Sequence, residues 1–269
     1  MTPPLRLKVL ITTLLCVVCC AGGASAATLE QLTPFFTAQH YTWKEYYGGR
    51  RLLDEDGPLF SGGVKVGILT DLAMTITAKA EVFGGVISYD GETQAPNPVP
   101  VKTDVTYVGT RGEADFGYRL PPDLLNFEPF AGIGYRWWTR DLHDSQTATG
   151  VPVSGYTETW DSVYCRLGAR GSYRPSSDWT MYVEGGGKYP FYTGNSVDFA
   201  GAGTVTFHPG SLWSGFAEAG ASYRNLKVAF TYEGFRWSQS PLKRVGYQAF
   251  FQPESTSDIM GLSLGWNFR

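Results

Sequence analysis

The sequence predicts an all-β chain folded as an antiparallel, up-and-down transmembrane β-barrel of about ten strands, with eight or twelve as the alternatives. Three observations predict it. Apolar and polar residues alternate with period two in segment after segment, keeping the charges on one face where helical spacing would scatter them. Connections between those segments alternate between short and long. The closing segment puts Met260, Leu262, Leu264, Trp266 and Phe268 on one side of an extended strand, with Gly261, Ser263, Gly265 and Asn267 on the other. No charge falls on that apolar side. Such a strand suits lipid on one face and a polar interior on the other.

Taken in order, the chain opens on a predicted secretory leader. Arg6 and Lys8 form its positive start, Val9 to Cys20 its apolar run, and Ala24-Ser25-Ala26 a small-residue cleavage site. The run falls well short of the roughly 20 residues that a spanning helix needs. Lipidation at Cys19 or Cys20 is rejected, because Val17-Val18 and Val18-Cys19 precede them where Leu and a small residue are wanted. Cleavage after Ala26 leaves residues 27–269 as one barrel domain. Cys165 is the single cysteine of that part, so no internal disulfide forms there, and its neighbours give it a packing role on an apolar face.

Strands are expected over Pro34 to Tyr46, Leu59 to Leu69, from Met74, Thr106 to Tyr118, from Phe127 and from Trp160. Four more run over Trp179 to Phe191, Leu212 to Tyr223, Leu226 to Trp237 and the closing segment from Met260. The third is representative: Met74, Ile76, Ala78, Ala80 and Val82 alternate with Thr75, Thr77, Lys79 and Glu81. Short connections fall at Asp71-Leu72-Ala73, Pro121-Pro122-Asp123, Pro175-Ser176-Ser177 and Arg224-Asn225. Long ones are expected over Tyr47 to Pro58, Asp90 to Val101, Asp141 to Tyr156, Gly194 to Ser211 and Ser238 to Ser257. Val197 to Phe207 itself reads as a strand: either a β-extension above the membrane or a sign that the count is twelve.

Alternation alone would also suit a soluble sandwich or a lipocalin-like barrel. Tryptophan placement argues against both. Trp43, Trp138, Trp160, Trp213 and Trp237 fall near outer strand ends, and Trp179 and Trp266 near inner ones. Two aromatic girdles at the bilayer interfaces are expected from that spacing. The net charge of −3 is too small to argue for nucleic acid, and no cofactor motif is present.

The closing strand resembles that of small Gram-negative outer-membrane β-barrel proteins, which usually end on the aromatic residue; here Arg269 follows Phe268. The resemblance extends over nearly all of the chain after the leader, and rests on architecture and that one strand. It implies export, assembly by the barrel-assembly machinery, contact with outer-membrane lipid, and residence in the cell outer membrane.

Chemistry on the polar face is carried by mixed charges. Arg111, Glu113, Asp115, Arg136, Arg140, Arg166 and Arg170 are candidates for a lumen network, with Glu113 or Asp115 placed to pair with Arg136 and Arg166. One reading is a salt-bridge network that fills a narrow barrel; the other is a pore or binding lining in which the arginines filter small solutes. The first is favoured, because about eight to ten strands leave an interior that side chains nearly fill. No catalytic residue is assigned. Some ten-stranded outer-membrane barrels are rim proteases, and His143 with Asp141 or Asp144 is the corresponding alternative here, without that family's motifs around it. His40 is expected to face the lumen. Asp54-Glu55-Asp56-Gly57 reads as an exposed acidic turn and not as a Ca²⁺ site, since the spaced ligand set is missing. The loops offer an extracellular ligand or surface partner a place to bind: Val245 and Tyr247 to Phe251 either contact such a partner or fold back over the barrel mouth. Pro96, Pro98 and Pro100 stiffen another loop. The function expected is a non-enzymatic outer-membrane barrel with a structural, surface-contact or binding role.

Overall fold

The computed structural model describes residues 27–93, 98–121, 126–199, 203–245 and 248–268. The predicted leader at residues 1–26 lies outside them, as do Pro96, Tyr247 and Arg269. Ten long strands follow in order: β1 (Thr28–Tyr47), β2 (Arg50–Leu69), β3 (Met74–Glu92), β4 (Pro100–Tyr118) and β5 (Asn126–Leu142), then β6 (Thr157–Tyr173), β7 (Trp179–Phe199), β8 (Ser214–Tyr223), β9 (Leu226–Ser238) and β10 (Glu254–Trp266). Each pairs antiparallel with the next, and β10 pairs with β1, Phe36 opposite Leu264, which closes the ring. Closure matters because an unpaired backbone edge in lipid costs several kcal/mol per group, on the order of a lost hydrogen bond each.

The outward face bears a continuous apolar band that includes Phe36, Phe60, Val82, Val108, Ile133, Leu167, Val183, Phe230, Leu262 and Leu264, all exposed. On the outer side the band ends at Ala38, Pro58, Val86, Val108, Val163 and Met260. His40, Asp56, Ser88, Thr106, Asp161 and Asp258 follow on the same face one alternation further. At the inner side Trp179, Trp266, Tyr118, Tyr173 and Phe268 stand exposed at the strand ends as an interfacial girdle. Cys165 is half-buried on this outer face, its Sγ 3.6 Å from the Tyr189 carbonyl, in keeping with a packing role.

The strands are longer than the sequence pattern predicts. β1 and β2 each run 20 residues, where a transmembrane strand needs about 9–11. The predicted loop from Tyr47 to Pro58 is therefore mostly ladder, turning only at Gly48-Gly49. Those residues have φ of +57° and +79°, the two-residue turn in which both central residues are left-handed and glycine is favoured. Asp54-Glu55-Asp56-Gly57 is consequently strand and not turn: Asp54 and Asp56 point outward while Glu55 is fully buried inside. The other predicted long connections are likewise shortened by strand extension. Above the lipid, water wets the outer face while the lumen stays polar inside, so the apolar alternation fades although pairing continues.

The segment after Val197 is the β-extension and not an extra pair of staves. Gly203–Phe207 runs back along the outer end of β7, with Phe207 opposite Asn195, and Gly210–Ser211 then joins β9. Two small hairpins, Ser145–Gln146 with Pro152–Val153 and Lys243–Val245 with Gln248–Phe250, decorate the same end.

Candidate functional site

The lumen is filled in three layers. In the membrane-level half, alternate residues of β2 to β9 bring basic and acidic side chains together. Arg166 on β6 donates to Glu113 on β4 and, at 3.1 Å, to Glu184 on β7, with Asp115 at 3.8 Å. Arg170 reaches Asp115 at 2.8 Å, Glu128 at 3.1 Å and Glu184 at 3.3 Å. Lys65 bridges Glu184 (3.2 Å) and Glu218 (3.7 Å), and Lys227 adds a bond to Glu218 at 3.0 Å. Arg111 holds Glu81 at 2.9 Å and also Glu233, which Lys188 shares. Burying an isolated charge costs several kcal/mol, so a filled interior of this kind is tolerable only because partners come with it. A cavity of about 80 Å³ remains within this layer, lined by Gln31, Thr37, Lys65, Arg111, Glu218 and Lys227 among others, with room for several waters.

Aromatic side chains close the lumen above. Trp43 (β1), Trp138 (β5), Trp160 (β6) and Trp237 (β9) are each 0% exposed. Trp138 and Trp160 stack at 5.4 Å, and Trp43 meets Trp160 edge-on at 5.1 Å and Trp237 at 5.3 Å. Tyr41, Tyr107, Tyr164, Phe83 and Phe235 complete the layer. This corrects the expectation of an outer tryptophan girdle: four of its five members point inward, and only Trp213 lies exposed outside. Their parity carries the signal. Trp138 shares a strand face with Arg136 and Arg140, Trp160 with Arg166, Trp237 with Glu233 and Trp43 with Glu45.

The third layer lies beyond the apolar band. Arg140 is hydrogen-bonded to Glu55, stands 3.0 Å from Glu158 and 3.8 Å from Glu45, and all four groups are buried. These carboxylates also grip the aromatics: Trp43 Nε1 donates to Glu45 (2.9 Å), Trp160 Nε1 to Glu158 (2.8 Å), and the Tyr107 hydroxyl to Glu55 (2.5 Å). Gln252 drops in from the last outer loop and donates to Glu45 at 2.9 Å. Gln252, the residue just after the predicted Val245 and Tyr247 to Phe251 segment, folds into the mouth, while Phe251 itself lies against Tyr47 at the tip of the first hairpin, ring centroids 5.0 Å apart. Burial, opposed by Arg140 and reinforced by Glu158, lifts the Glu45 carboxyl to about 7.

Of the seven lumen residues predicted, six sit in ion pairs. Arg136 does not: it is buried, and among the described residues no carboxylate pairs with it. Its guanidinium lies instead against Phe83, Trp138 and Phe235, each at 4.8–4.9 Å. At the rim His143 and Asp144 line one groove with Asp56, Asp90 and Asp104, but the predicted histidine–acid group forms no direct pair. His143 Nε2 lies 2.8 Å from the Thr106 hydroxyl, Asp141 accepts from Thr157, and Asp144 accepts from the Gly155 amide. His40 faces outward, 3.0 Å from Asp56, and not into the lumen. Among the described residues no cluster of His, Cys, Asp and Glu is arranged to hold a metal ion.

The family model described as the autotransporter β-domain matches residues 69–233, more than half of the chain. The protein belongs to the autotransporter β-domain family. No curated protein matches at the level required. Among solved structures, the outer-membrane protease OmpT of Escherichia coli is similar over 91% of this chain and 99% of its own, with a TM-score of 0.53 and 14% identity. The translocator domain of the autotransporter NalP of Neisseria meningitidis covers 98% of this chain and 96% of its own at 12% identity, TM-score 0.38. The β-domain of the Bordetella autotransporter BrkA covers 88% and 99% at 13% identity, TM-score 0.39. The autotransporter β-domain barrel described here resides in the cell outer membrane.

Proposed function

We propose that this protein is a sealed, non-enzymatic barrel that works through its extracellular strand extensions and loops, as a surface-contact or binding element anchored in outer-membrane lipid. The observation that carries the reading is the layer formed by Trp43, Trp138, Trp160 and Trp237, fully buried across the lumen. A barrel closed by side chains offers solutes no continuous aqueous path. Its remaining working surface is what stands above the lipid. From Ala38 to Gly48 the first hairpin rises about ten residues, or roughly 25 Å once strand tilt is allowed for. It presents His40, Lys44, Asp54 and Asp56 outward. The closing strand, apolar on its outer face, is the element that the barrel-assembly machinery would engage during insertion.

The test is conductance of the folded barrel in planar bilayers. The reading expects silence, together with heat-modifiable gel migration that reports a closed barrel. Discrete openings would overturn it. They would favour the second reading, a narrow channel lined by Arg111, Arg136, Arg166 and Arg170, which draws its support from the cavity at Arg111.

A further inference from the structure

Among the described residues, every basic side chain of the lumen has a carboxylate partner except one. Lys65, Lys79, Arg111, Arg140, Arg166, Arg170, Lys188 and Lys227 are all in ion pairs. Arg136, 2% exposed, is not. Two further basic side chains crowd it. Arg111 lies directly opposite it on β4, and Lys188 sits over the same Phe235 ring, 3.2 Å from the centroid. Three aromatic faces around the guanidinium offset part of its desolvation, each worth on the order of 1 kcal/mol. They do not neutralise it.

A second, independent feature marks the same place. Buried donors there lack partners: Trp138 Nε1 and Arg111 Nε. Trp138 packs on Arg136 itself, and Tyr41 is within electrostatic reach of it. Buried donors without acceptors are rare in native proteins and call for an occupant. Surplus positive charge, unpartnered N–H groups and apolar ring faces together suit one chemistry: a small, weakly hydrated, monovalent anion. Arg111 also lines the small cavity of the membrane-level layer, which gives an ion a hydrated place from which to enter.

We infer that the underside of the aromatic layer, at Arg136 with Tyr41, Trp138 and Arg111, is a binding site for a single halide-class anion. The site neutralises the unpaired guanidinium and so forms part of the seal.

Bromide tests this directly, because it quenches indole emission and scatters anomalously. The folded barrel in detergent is titrated with bromide against gluconate at constant ionic strength, and bromide-soaked crystals are measured at the bromine edge. The expected result is saturable quenching, an anomalous peak beside Arg136, and a higher unfolding temperature in bromide than in gluconate. Replacing Arg136→Gln should weaken the saturable phase by about tenfold or more, since charge-assisted hydrogen bonds are the strong ones. Arg136→Lys, which keeps the charge, should retain it and serves if the glutamine variant fails to fold. Quenching that stays linear in bromide and equal in wild type and variant, with no peak at Arg136, would overturn the inference. The aromatic cage would then be the whole of the compensation.

Discussion

Arg166 below the tryptophans and Arg140 above them each face three carboxylates, yet their surroundings differ. Around Arg166, Asp115 and Glu184 share further bases, Arg170 and Lys65. Around Arg140, Glu45, Glu55 and Glu158 have no other basic partner among the described residues. The membrane-level layer is therefore close to neutral, whereas the outer one carries surplus negative charge unless a proton joins it. The lower network resists the loss of one member through redundancy; the upper one depends on Arg140 and on pH.

The largest effect is expected from Arg140→Met, which strands three buried carboxylates. It should destabilise the barrel by about 3–5 kcal/mol, read by urea unfolding in lipid vesicles. Arg170→Met in the lower layer should cost clearly less, because Arg166 still serves Asp115, Lys65 and Arg166 serve Glu184, and Arg119 serves Glu128; equal losses would erase the distinction between the layers. Next comes Trp160→Ala, which opens a void between them and should cost about 3–5 kcal/mol if the site does not collapse. Loss of near-ultraviolet circular dichroism would show the ring stack relaxing.

The pH response should be smaller and confined to the upper layer. Glu45 faces Arg140 from β5, Glu158 from β6, Glu55 from β2, Tyr89 from β3 and Tyr156 from just before β6. Its carboxyl is raised from 4.5 to about 7, so the stabilisation by its proton is fully present below about pH 4.5 and is lost as pH rises through about 7. The loss should amount to at most about 3 kcal/mol. Glu45→Gln should flatten the profile between pH 5 and 8, measured by unfolding at each pH; an unchanged slope would remove Glu45 from the account. Least of all should follow from Arg50→Ala at the exposed tip, whose pair with Glu92 lies in solvent; no change outside experimental error is expected in the same assay.

Strand faces were legible from period two alone. Leu262 and Leu264 meet lipid, and Arg111, Glu113 and Asp115 meet the lumen, as their parity requires. Strand lengths were not, because beyond the lipid neither face need be apolar, and Asp54-Glu55-Asp56-Gly57 in mid-strand carries the composition of a turn. Tryptophan misled for a related reason. An indole suits an interface and a lumen equally, and only the shared parity of Trp138 with Arg136 and Arg140 tells them apart. Which carboxylate each arginine takes was legible only in part. Arg166 reaches Glu113 across an intervening strand, a distance that barrel curvature sets and sequence spacing does not.

The pairing of β1 with β10 has a consequence for how the molecule is made. Twelve residue pairs, from Phe35 with Gly265 to Tyr46 with Glu254, join segments some 200 residues apart along the chain. Until the tenth strand has left the ribosome and crossed the inner membrane, the first has only one neighbour and an open edge. No stable partial barrel precedes the whole, so the nascent chain must be kept from aggregating for its entire passage through the periplasm. Loss of β10 should leave a chain destined for proteolysis and not a smaller barrel.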